Sequence, residues 1–329
     1  MERYPTVSVV VPVRNRQSDI HDCLESILGL DYPSFETITV EDGSTDKTRE
    51  KISQYPVKLV EGDRLGAYAA RNKGIQAARG EIVAFTDSDC VVDRCWLKNL
   101  AECYYDDRIG GVGGQVLPHD SNQIIARFMG LGPQEIFDSP KRVRLGTPNS
   151  SRFLSTGLGS GNMSFRRSVL NAVKGFSEDM VKCGDYELCW RVQKAGYQLI
   201  FEPKAIVYHK PRSTLSDLVM QFFRFGMSQP ELLKKQGDGY SYFELKSYLF
   251  PIRSFRCILP IQMLVTIDVF NLATLCLILT PLFPQMLYLF AVSSLMFAWY
   301  AMKKWKEALD KTRNMKLVLA FPFLHVIRS

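Results

Sequence analysis

The stretch that most constrains the fold is residues 82–89, where an apolar run leads directly into two carboxylates. Ile-Val-Ala-Phe at 82–85 is followed by Thr-Asp-Ser-Asp at 86–89. Such a run predicts a buried strand that ends in a polar tip. Ligands of open parallel sheets bind at the carboxyl ends of the strands. Asp87 and Asp89 would suit Mg²⁺ or Mn²⁺ there, although Asp-X-Asp alone is also common in solvated turns.

Further apolar runs precede this strand and alternate with helical patterns. Strands are predicted at residues 7–11, 35–40 and 57–60, and helices at 19–28 and 66–79. This alternation predicts βαβ units and a parallel sheet. Asp42 directly follows the second strand, as Asp87 and Asp89 follow the fourth, so the acidic residues are expected to share one site.

Composition limits the class of protein. The chain has 329 residues, 46% of them hydrophobic, which is ample for a core. The net charge is +7, with basic residues recurring around the apolar C-terminal third, which favours a membrane surface as partner. No arginine-rich run or zinc-finger spacing indicates nucleic-acid binding. The eight cysteines form no Cys-X-X-Cys pair and are predicted to be reduced, in a cytosolic compartment, and no signal peptide is predicted.

The middle of the chain predicts further secondary structure and one loop. A helix is predicted at 96–104, a strand at 109–116, and a basic, mobile loop at about 130–155, which either closes over a ligand or is a surface insertion. A helix at 185–194 begins with Asp185, as a simple N-cap or as a functional group. Two short strands at 199–201 and 205–208 lead to His209.

The C-terminal third contains two long apolar stretches. Residues 258–279 would span about 33 Å as a helix, and residues 286–302 about 25 Å. They are predicted to form a membrane hairpin, with a buried or interfacial helix pair as the alternative. Basic residues before and after the hairpin predict that both its ends, and the N-terminal domain, are cytoplasmic. Residues 317–327 are apolar but too short to span.

Several segments together resemble the family-2 glycosyltransferases of the GT-A fold, over residues 6–226. The resemblance rests on motifs in a particular order: Val-Val-Val-Pro-Val-Arg-Asn at 9–15, Glu-Asp-Gly-Ser-Thr-Asp-Lys-Thr at 41–48, Gly66 with Ala-Arg-Asn-Lys-Gly at 70–74, Asp-Ser-Asp at 87–89, Gly-Asn-Met-Ser-Phe-Arg-Arg at 161–167, Gly-Phe-Ser-Glu at 175–178, and Gly-Asp-Tyr-Glu-Leu at 184–188 with Arg191.

The resemblance implies an α/β GT-A fold, related to nucleotide-binding Rossmann-like folds, with a mixed, mainly parallel sheet and flanking helices. The expected organisation is a catalytic domain at 1–230, divided into a nucleotide-binding half (1–116) and an acceptor half (117–230), then a basic juxtamembrane linker at 231–256, two transmembrane helices within 257–302, and a basic tail at 303–329.

The resemblance also implies roles for individual residues in an inverting transfer from a nucleotide-diphosphate sugar. Asp185 would be the general base, with Glu187 as its rival, and Asp89, Asp87 and His209 would hold Mg²⁺ or Mn²⁺, although a lone histidine is as often a core or surface residue. The expected nucleotide-binding residues are Pro12, Arg14, Asn15, Asp42, Gly66, Arg71, Asp87 and Ser88. The expected acceptor or sugar pocket comprises Gly161, Asn162, Arg191, Gln221 and Arg224.

Two departures from the family pattern matter. Gly184 stands where the family commonly has a glutamate, so the base assignment depends on Asp185. Gln221 and Arg224 are followed by Phe225, where processive members usually have a tryptophan, which favours a non-processive enzyme.

The expected partners are a UDP-sugar, with GDP- and dTDP-sugars as alternatives, and a lipid-linked or polysaccharide acceptor at the inner (plasma) membrane. Two alternative functions are a nucleotidyltransferase that makes sugar nucleotides and a catalytically silent membrane scaffold.

Overall fold

The computed structural model describes residues 4–119, 141–145 and 158–210, and a few positions beyond them (Ser228, Leu232, Lys235, 243–245, 255–257, Leu295 and Met302). Contacts divide the chain into two units. The first comprises Met1–Ser121, Gly132–Pro211 and Lys234–Gln236, and the second comprises the remainder. The first unit contains all the sequence-predicted site residues that the structure describes.

The first unit alternates strands and helices through its first half. The strands are β1 (Val7–Val13), β2 (Phe35–Glu41), β3 (Lys58–Glu61), β4 (Ile82–Phe85), β5 (Cys90–Val92), β6 (Ile109–Pro118), β7 (Val143–Arg144), β8 (Met163–Arg166) and β9 (Gln198–His209). The helices are α1 (Ile20–Leu28), α2 (Thr48–Ile52), α3 (Ala67–Ala77), α4 (Trp96–Ala101), α5 (Arg167–Ala172) and α6 (Gly184–Lys194).

These strands form one mixed sheet in the order β3-β2-β1-β4-β8-β6-β9-β5, with β7 added alongside β9. The first four strands are parallel, so β1, β2 and β4 all present their carboxyl ends at one edge. The strand β8 then enters antiparallel between β4 and β6. The sheet is therefore mixed, as predicted, and its parallel part is the half that ends in acidic residues.

Side-chain alternation along β1 explains how the sheet is covered on both faces. Val9 packs in one apolar cluster with α1 and α4, whereas Val10 packs in another with α3, α5 and α6. Successive residues of a strand point to opposite faces, and every residue of β1 is buried. The nearly continuous apolar run of β1, interrupted by the buried Ser8, is thus typical of a strand between two helical layers.

Two segments differ from the sequence predictions for a physical reason. The two short strands predicted before His209 are one strand, β9, with its register to β6 shifted between Gly114 and Gln115. Pro203 lies within this irregularity, where its missing N–H costs no ladder hydrogen bond. Within the predicted loop at 130–155, residues Val143–Arg144 pair antiparallel with β9, so that part is a strand.

The second unit is described at few positions. Its strands β10 (Phe243–Leu245) and β11 (Phe255–Cys257) pair antiparallel. Within the described part of the chain, there is no helix with the length and apolarity needed to cross a membrane. The predicted span at 258–279 lies outside the described residues, as does that at 286–302 apart from Leu295 and Met302.

Candidate active site

Asp42 directly follows β2, and its side chain contacts the loop before α3. Its carboxylate is 3% exposed and accepts one backbone N–H at each oxygen: that of Arg64 at 2.7 Å and that of Gly66 at 2.9 Å. Gly66 has a φ of +99°, a conformation that favours glycine. The predicted nucleotide residues Asp42 and Gly66 therefore contact each other directly, and Asp42 shapes the loop that leads into α3.

The turn after β1 is tied to the turn after β2. The backbone N–H of Asn15 donates to Ser44 Oγ at 2.9 Å, and Asn15 Oδ1 accepts the N–H of Thr45 at 2.8 Å. Of the other predicted nucleotide residues here, Pro12 is buried in β1 and Arg14 is exposed. Asn15 thus fixes the two strand-end turns relative to each other, and Arg14 is available at their surface.

Arg71 is a buried cation on α3. Its residue is 3% exposed, and its Nη2 donates to Asp87 Oδ1 at 2.5 Å. The guanidinium lies beside the stacked rings of Tyr68 and Phe176, with Cζ 5.6 and 5.8 Å from the two ring centroids. Its Nε is buried and has no hydrogen-bond partner among the described residues. The Arg71 guanidinium therefore keeps one buried N–H donor that the described residues do not satisfy.

Asp89 lies at the turn between β4 and β5, where several elements contribute to its surroundings. Its Oδ2 is 3.1 Å from Arg16 Nη2, and its Oδ1 is 3.5 Å from His209 Nε2. Burial raises the pKa of Asp89, and the His209 and Arg16 charges oppose that shift. Asp89, His209 and the buried Cys90 form a cluster whose ligand atoms all lie within 4.8 Å of one another. Asp87, by contrast, lies outside this cluster and is paired with Arg71.

Asp185 opens the first turn of α6. Its Oδ2 accepts the backbone N–H of Ser160 at 3.1 Å, and its Oδ1 accepts that of Tyr186 at 3.0 Å. The helix N-terminus alone would favour the ionised carboxylate. Burial outweighs it and raises the pKa of Asp185 above the ordinary value, with the Ser160 N–H and the Arg71 charge lowering it in part. The residue that caps the helix is Cys183, so Asp185 is not the simple N-cap.

Glu187, the alternative base, has a side chain that is fully engaged in structural contacts. It is 3% exposed; its two oxygens accept from Arg191 Nε and Nη2, each at 2.7 Å, and Oε2 also accepts from Ser177 Oγ at 2.9 Å. Arg191 donates as well to the backbone carbonyls of Val173 and Gly175. Arg191 thus holds the segment before α6, and its place in an acceptor or sugar pocket stays a prediction. The geometry favours Asp185 over Glu187 as base.

Asn162 also has a structural role, and its assignment to the acceptor pocket stays a prediction. It is 1% exposed; its Oδ1 accepts from Trp96 Nε1 at 2.8 Å, and its Nδ2 donates to the carbonyls of Gln115 and Ala205, each at 2.8 Å. These carbonyls flank the irregular β6–β9 register, where ladder partners are missing. Gly161, in contrast, does lie at the site, because a Cβ added there would be 3.3 Å from Asp87 Oδ2.

Sequence reasoning missed three contributors to the site. Arg16 and Cys90 border Asp89, and Tyr68 carries the N-terminus of α6 because its Oη accepts the N–H of Gly184 at 2.9 Å. The position of Cys90 directly after the predicted metal ligands could have indicated its role. The contacts of Arg16 and Tyr68 join segments that are distant in sequence, so no local pattern indicates them. Of the remaining predicted residues, Ser88 is 6% exposed, and Gln221 and Arg224 lie outside the described residues.

The mixed sheet and its acidic edge define an α/β enzyme with the GT-A fold. A model described as "Glycosyl transferase family 2" matches residues 8–173. The chain is 30% identical over 233 residues to "Glycosyltransferase AglE" of Haloferax volcanii, a match that covers 68% of this chain and 73% of that protein. This chain belongs to glycosyl transferase family 2 and is a glycosyltransferase. Matches to some other curated relatives cover only about half of their length.

Solved structures share the fold. The mannosyltransferase PcManGT of Pyrobaculum calidifontis, in complex with GDP-Man and Mn2+, has a TM-score of 0.58 and 20% identity, covering 99% of this chain and 86% of that one. TarS of S. aureus, residues 1–349 in complex with UDP, has a TM-score of 0.52 and 22% identity, covering 68% and 65%. Family membership also decides against the nucleotidyltransferase alternative.

Proposed function

We propose that this glycosyltransferase moves a sugar from a nucleotide-diphosphate donor to a hydroxyl or phosphate of a membrane-associated acceptor, with inversion at the anomeric carbon. The observation that carries the proposal is a continuous set of contacts across one edge of the sheet. Asp42 contacts Gly66 at the start of α3, and Arg71 of the same helix pairs with Asp87. The loop at 158–162 contacts Asp185 at Ser160 and passes Asp87 at Gly161, where an added Cβ would be 3.3 Å from Asp87 Oδ2. Donor-side and acceptor-side groups therefore adjoin.

On the donor side, the structure offers both a polar cradle and a cation. Each Asp42 oxygen accepts one N–H and retains a lone pair for the base or ribose of a nucleotide. Arg71 presents its unpartnered Nε beside the Asp87 pair, and a guanidinium suits phosphate oxygens through its forked donors. We assign Asp42 to the nucleoside and Arg71 to the diphosphate.

The residues around Asp89 fit a divalent cation. Asp89 Oδ1 and His209 Nε2 face each other at 3.5 Å, which places two ligand atoms within reach of one ion. These residues would hold Mg²⁺ or Mn²⁺, and the ion when bound would stabilise negative charge on the departing diphosphate. The Mn2+ in PcManGT supports a divalent cation for this fold.

On the acceptor side, Asp185 acts as the general base. The acceptor oxygen forms a bond to the anomeric carbon as the bond from that carbon to the diphosphate breaks, and the nucleoside diphosphate leaves with the electron pair. Asp185 takes the proton of the acceptor hydroxyl. The N–H groups of Ser160 and Tyr186 hold its two oxygens in place, so the carboxylate is oriented before the acceptor binds.

The proposed donor and the proposed acceptor are supported by different observations. A UDP-sugar is the proposed donor, since TarS binds UDP and UDP-GlcNAc; GDP-sugars remain the alternative that PcManGT exemplifies. The proposed acceptor is a lipid-linked sugar, polyprenyl phosphate or polysaccharide precursor at the cytoplasmic face of the inner membrane, because two apolar stretches within 257–302 are flanked by basic residues.

Nucleotide release from a panel of UDP-, GDP- and dTDP-sugars tests the donor half of the proposal. Detergent-purified full chain is assayed with Mn²⁺ or Mg²⁺ and then with EDTA, beside Asp89→Ala and the control Asp107→Ala, whose side chain is fully exposed (102%). We expect one donor to be turned over, with EDTA and Asp89→Ala abolishing release and Asp107→Ala leaving it intact. Equal release by Asp89→Ala would contradict the metal assignment.

Adding membrane lipid extract tests the acceptor half. We expect the extract to raise nucleotide release and to yield a sugar-bearing lipid product. Membrane fractionation of cells that express the full chain, compared with a variant ending after residue 230, tests the anchor. Recovery of both proteins in the soluble fraction would contradict the proposed localisation.

A further inference from the structure

A cysteine sulfur lies beside the two proposed metal ligands. The strands β5 and β9 pair antiparallel with Cys90 directly opposite His209, which puts their side chains on the same face of the sheet. Asp89 Oδ1 lies 3.9 Å from Cys90 Sγ and 3.5 Å from His209 Nε2. All three ligand atoms lie within 4.8 Å of one another, so one face of a coordination sphere is already assembled from S, N and O.

Two of these separations, from Asp89 Oδ1 to the imidazole and to the sulfur, are close to those around a small, tetrahedral ion. Zinc binds sulfur at about 2.3 Å and nitrogen or oxygen at about 2.0–2.2 Å, so tetrahedral ligand atoms are about 3.4–3.6 Å apart. The O–N distance of 3.5 Å falls in that range, and the O–S distance of 3.9 Å exceeds it only slightly. The sulfur and the imidazole nitrogen lie within 4.8 Å of each other, so binding an ion would require these two side chains to approach.

Arg16 prepares the carboxylate for this role. Its guanidinium contacts Asp89 Oδ2, which leaves Oδ1 as the oxygen that faces the sulfur and the imidazole. Partners of this kind orient a ligating carboxylate and are commonly needed for full metal affinity.

We infer that Cys90 is a third ligand at this centre and makes it selective for Zn²⁺ and Co²⁺ over Mg²⁺ and Mn²⁺. Thiolate and imidazole ligands favour zinc and its neighbours, whereas oxygen-only sites suit magnesium and manganese. The thiol releases its proton to solvent as the sulfur–metal bond forms. The inference rests on the proposed function only in using the same Asp89 and His209. Zn²⁺ is therefore expected to displace Mn²⁺ from the transferase.

Cobalt titration of the metal-free full chain tests the ligand directly. A thiolate bound to Co²⁺ gives a charge-transfer absorption in the near ultraviolet, which oxygen and nitrogen ligands do not give. We expect this band in the wild type and in the control Cys95→Ser, whose cysteine is exposed, but not in Cys90→Ser. Calorimetric titrations should show the ratio of Zn²⁺ to Mn²⁺ affinity falling on the order of 100-fold in Cys90→Ser.

The outcomes separate this inference from the proposed function. Absence of the band in the wild type, or an unchanged band or affinity ratio in a Cys90→Ser that unfolds at the wild-type temperature, overturns the inference. If Cys90→Ser does not fold, the cobalt band of the wild type is compared with that of Asp89→Ala instead. We expect Asp89→Ala to lose the band, and a band that it retains in full would place the sulfur ligand elsewhere and overturn the inference. A cobalt–sulfur band without turnover of any donor would support the ligand set and contradict the transfer reaction.

Discussion

Replacing the carboxylate of Asp185 or of Glu187 by an amide should distinguish a residue needed for catalysis from one needed for stability, although both lie on the same helix. Asp185→Asn removes the proposed base while its remaining oxygen can still accept one of the two N–H groups. We therefore expect turnover to fall by about 10²–10⁴-fold and the free energy of unfolding to change by no more than about 1 kcal/mol. Because burial raises the folded-state pKa of Asp185, the ionised form costs stability at neutral pH, and the amide removes that cost.

Glu187→Gln should have the opposite profile. Losing one partner of a buried ion pair costs about 3–5 kcal/mol. The Arg191 side chain is 23% exposed and keeps its bonds to two backbone carbonyls, so solvent screening reduces the expected loss to about 2–3 kcal/mol. For a unit of this size, the melting temperature falls by about 5–10 °C. Turnover measured below that temperature should stay within about tenfold of the wild type, since Glu187 faces Arg191 and Ser177 and not the site.

The assay combines nucleotide release with thermal unfolding followed by tryptophan fluorescence. Glu50→Gln is the matched control, because Glu50 is an exposed glutamate in the first turn of α2, and it should change neither quantity. A Glu187→Gln protein that melts at the wild-type temperature and loses turnover at least 100-fold would refute the assignment of the base to Asp185. So would an Asp185→Asn protein that retains more than about a tenth of the activity.

Three further predictions follow from the same contacts. Asn162→Ala leaves the buried Trp96 Nε1–H and two carbonyls without partners and should lower the free energy of unfolding by about 3 kcal/mol or more, which urea denaturation would measure. Arg71→Lys keeps the charge but loses the fork that reaches Asp87, so donor affinity should weaken by about tenfold or more in calorimetry, and unchanged affinity would remove Arg71 from the diphosphate. The acid limb of turnover against pH should lie above the ordinary aspartate value, because burial raises the pKa of Asp185 and the base is active only when ionised; a limb at the ordinary value would contradict this.

The sequence predicts the first half of the fold well because one signal dominates there. The strands β1 and β4 are almost wholly apolar, β2 alternates apolar residues with buried threonines, and β4 matches its predicted bounds at 82–85. Asp42, Asp87 and Asp89 follow such runs, so their shared edge could be deduced from the parallel order. The catalytic role of Asp185 could be predicted only from the family resemblance, because an aspartate at the start of a helix is equally well explained as an N-cap.

The structural roles that the sequence did not predict belong to polar side chains that bond to the backbone. Asn162 and Arg191 stand in motifs that resemble an acceptor site, yet both satisfy carbonyls that the irregular β6–β9 register and the segment before α6 leave open. No local pattern shows which carbonyls lack partners, because that depends on strands far apart in sequence. The contact between Arg16 and Asp89 escaped for the same reason.

Charge distribution explains why these acidic groups can share one edge of the sheet. Each carboxylate meets a different donor: Asp42 takes backbone N–H groups, Asp87 takes Arg71, Asp89 takes Arg16 and His209. These donors therefore oppose the mutual repulsion of the carboxylates. A nucleotide-diphosphate donor adds further negative charge, which Arg71 alone cannot balance while it remains paired with Asp87. A divalent cation at Asp89 is consequently expected to strengthen donor binding, and donor to strengthen cation binding, by the same factor.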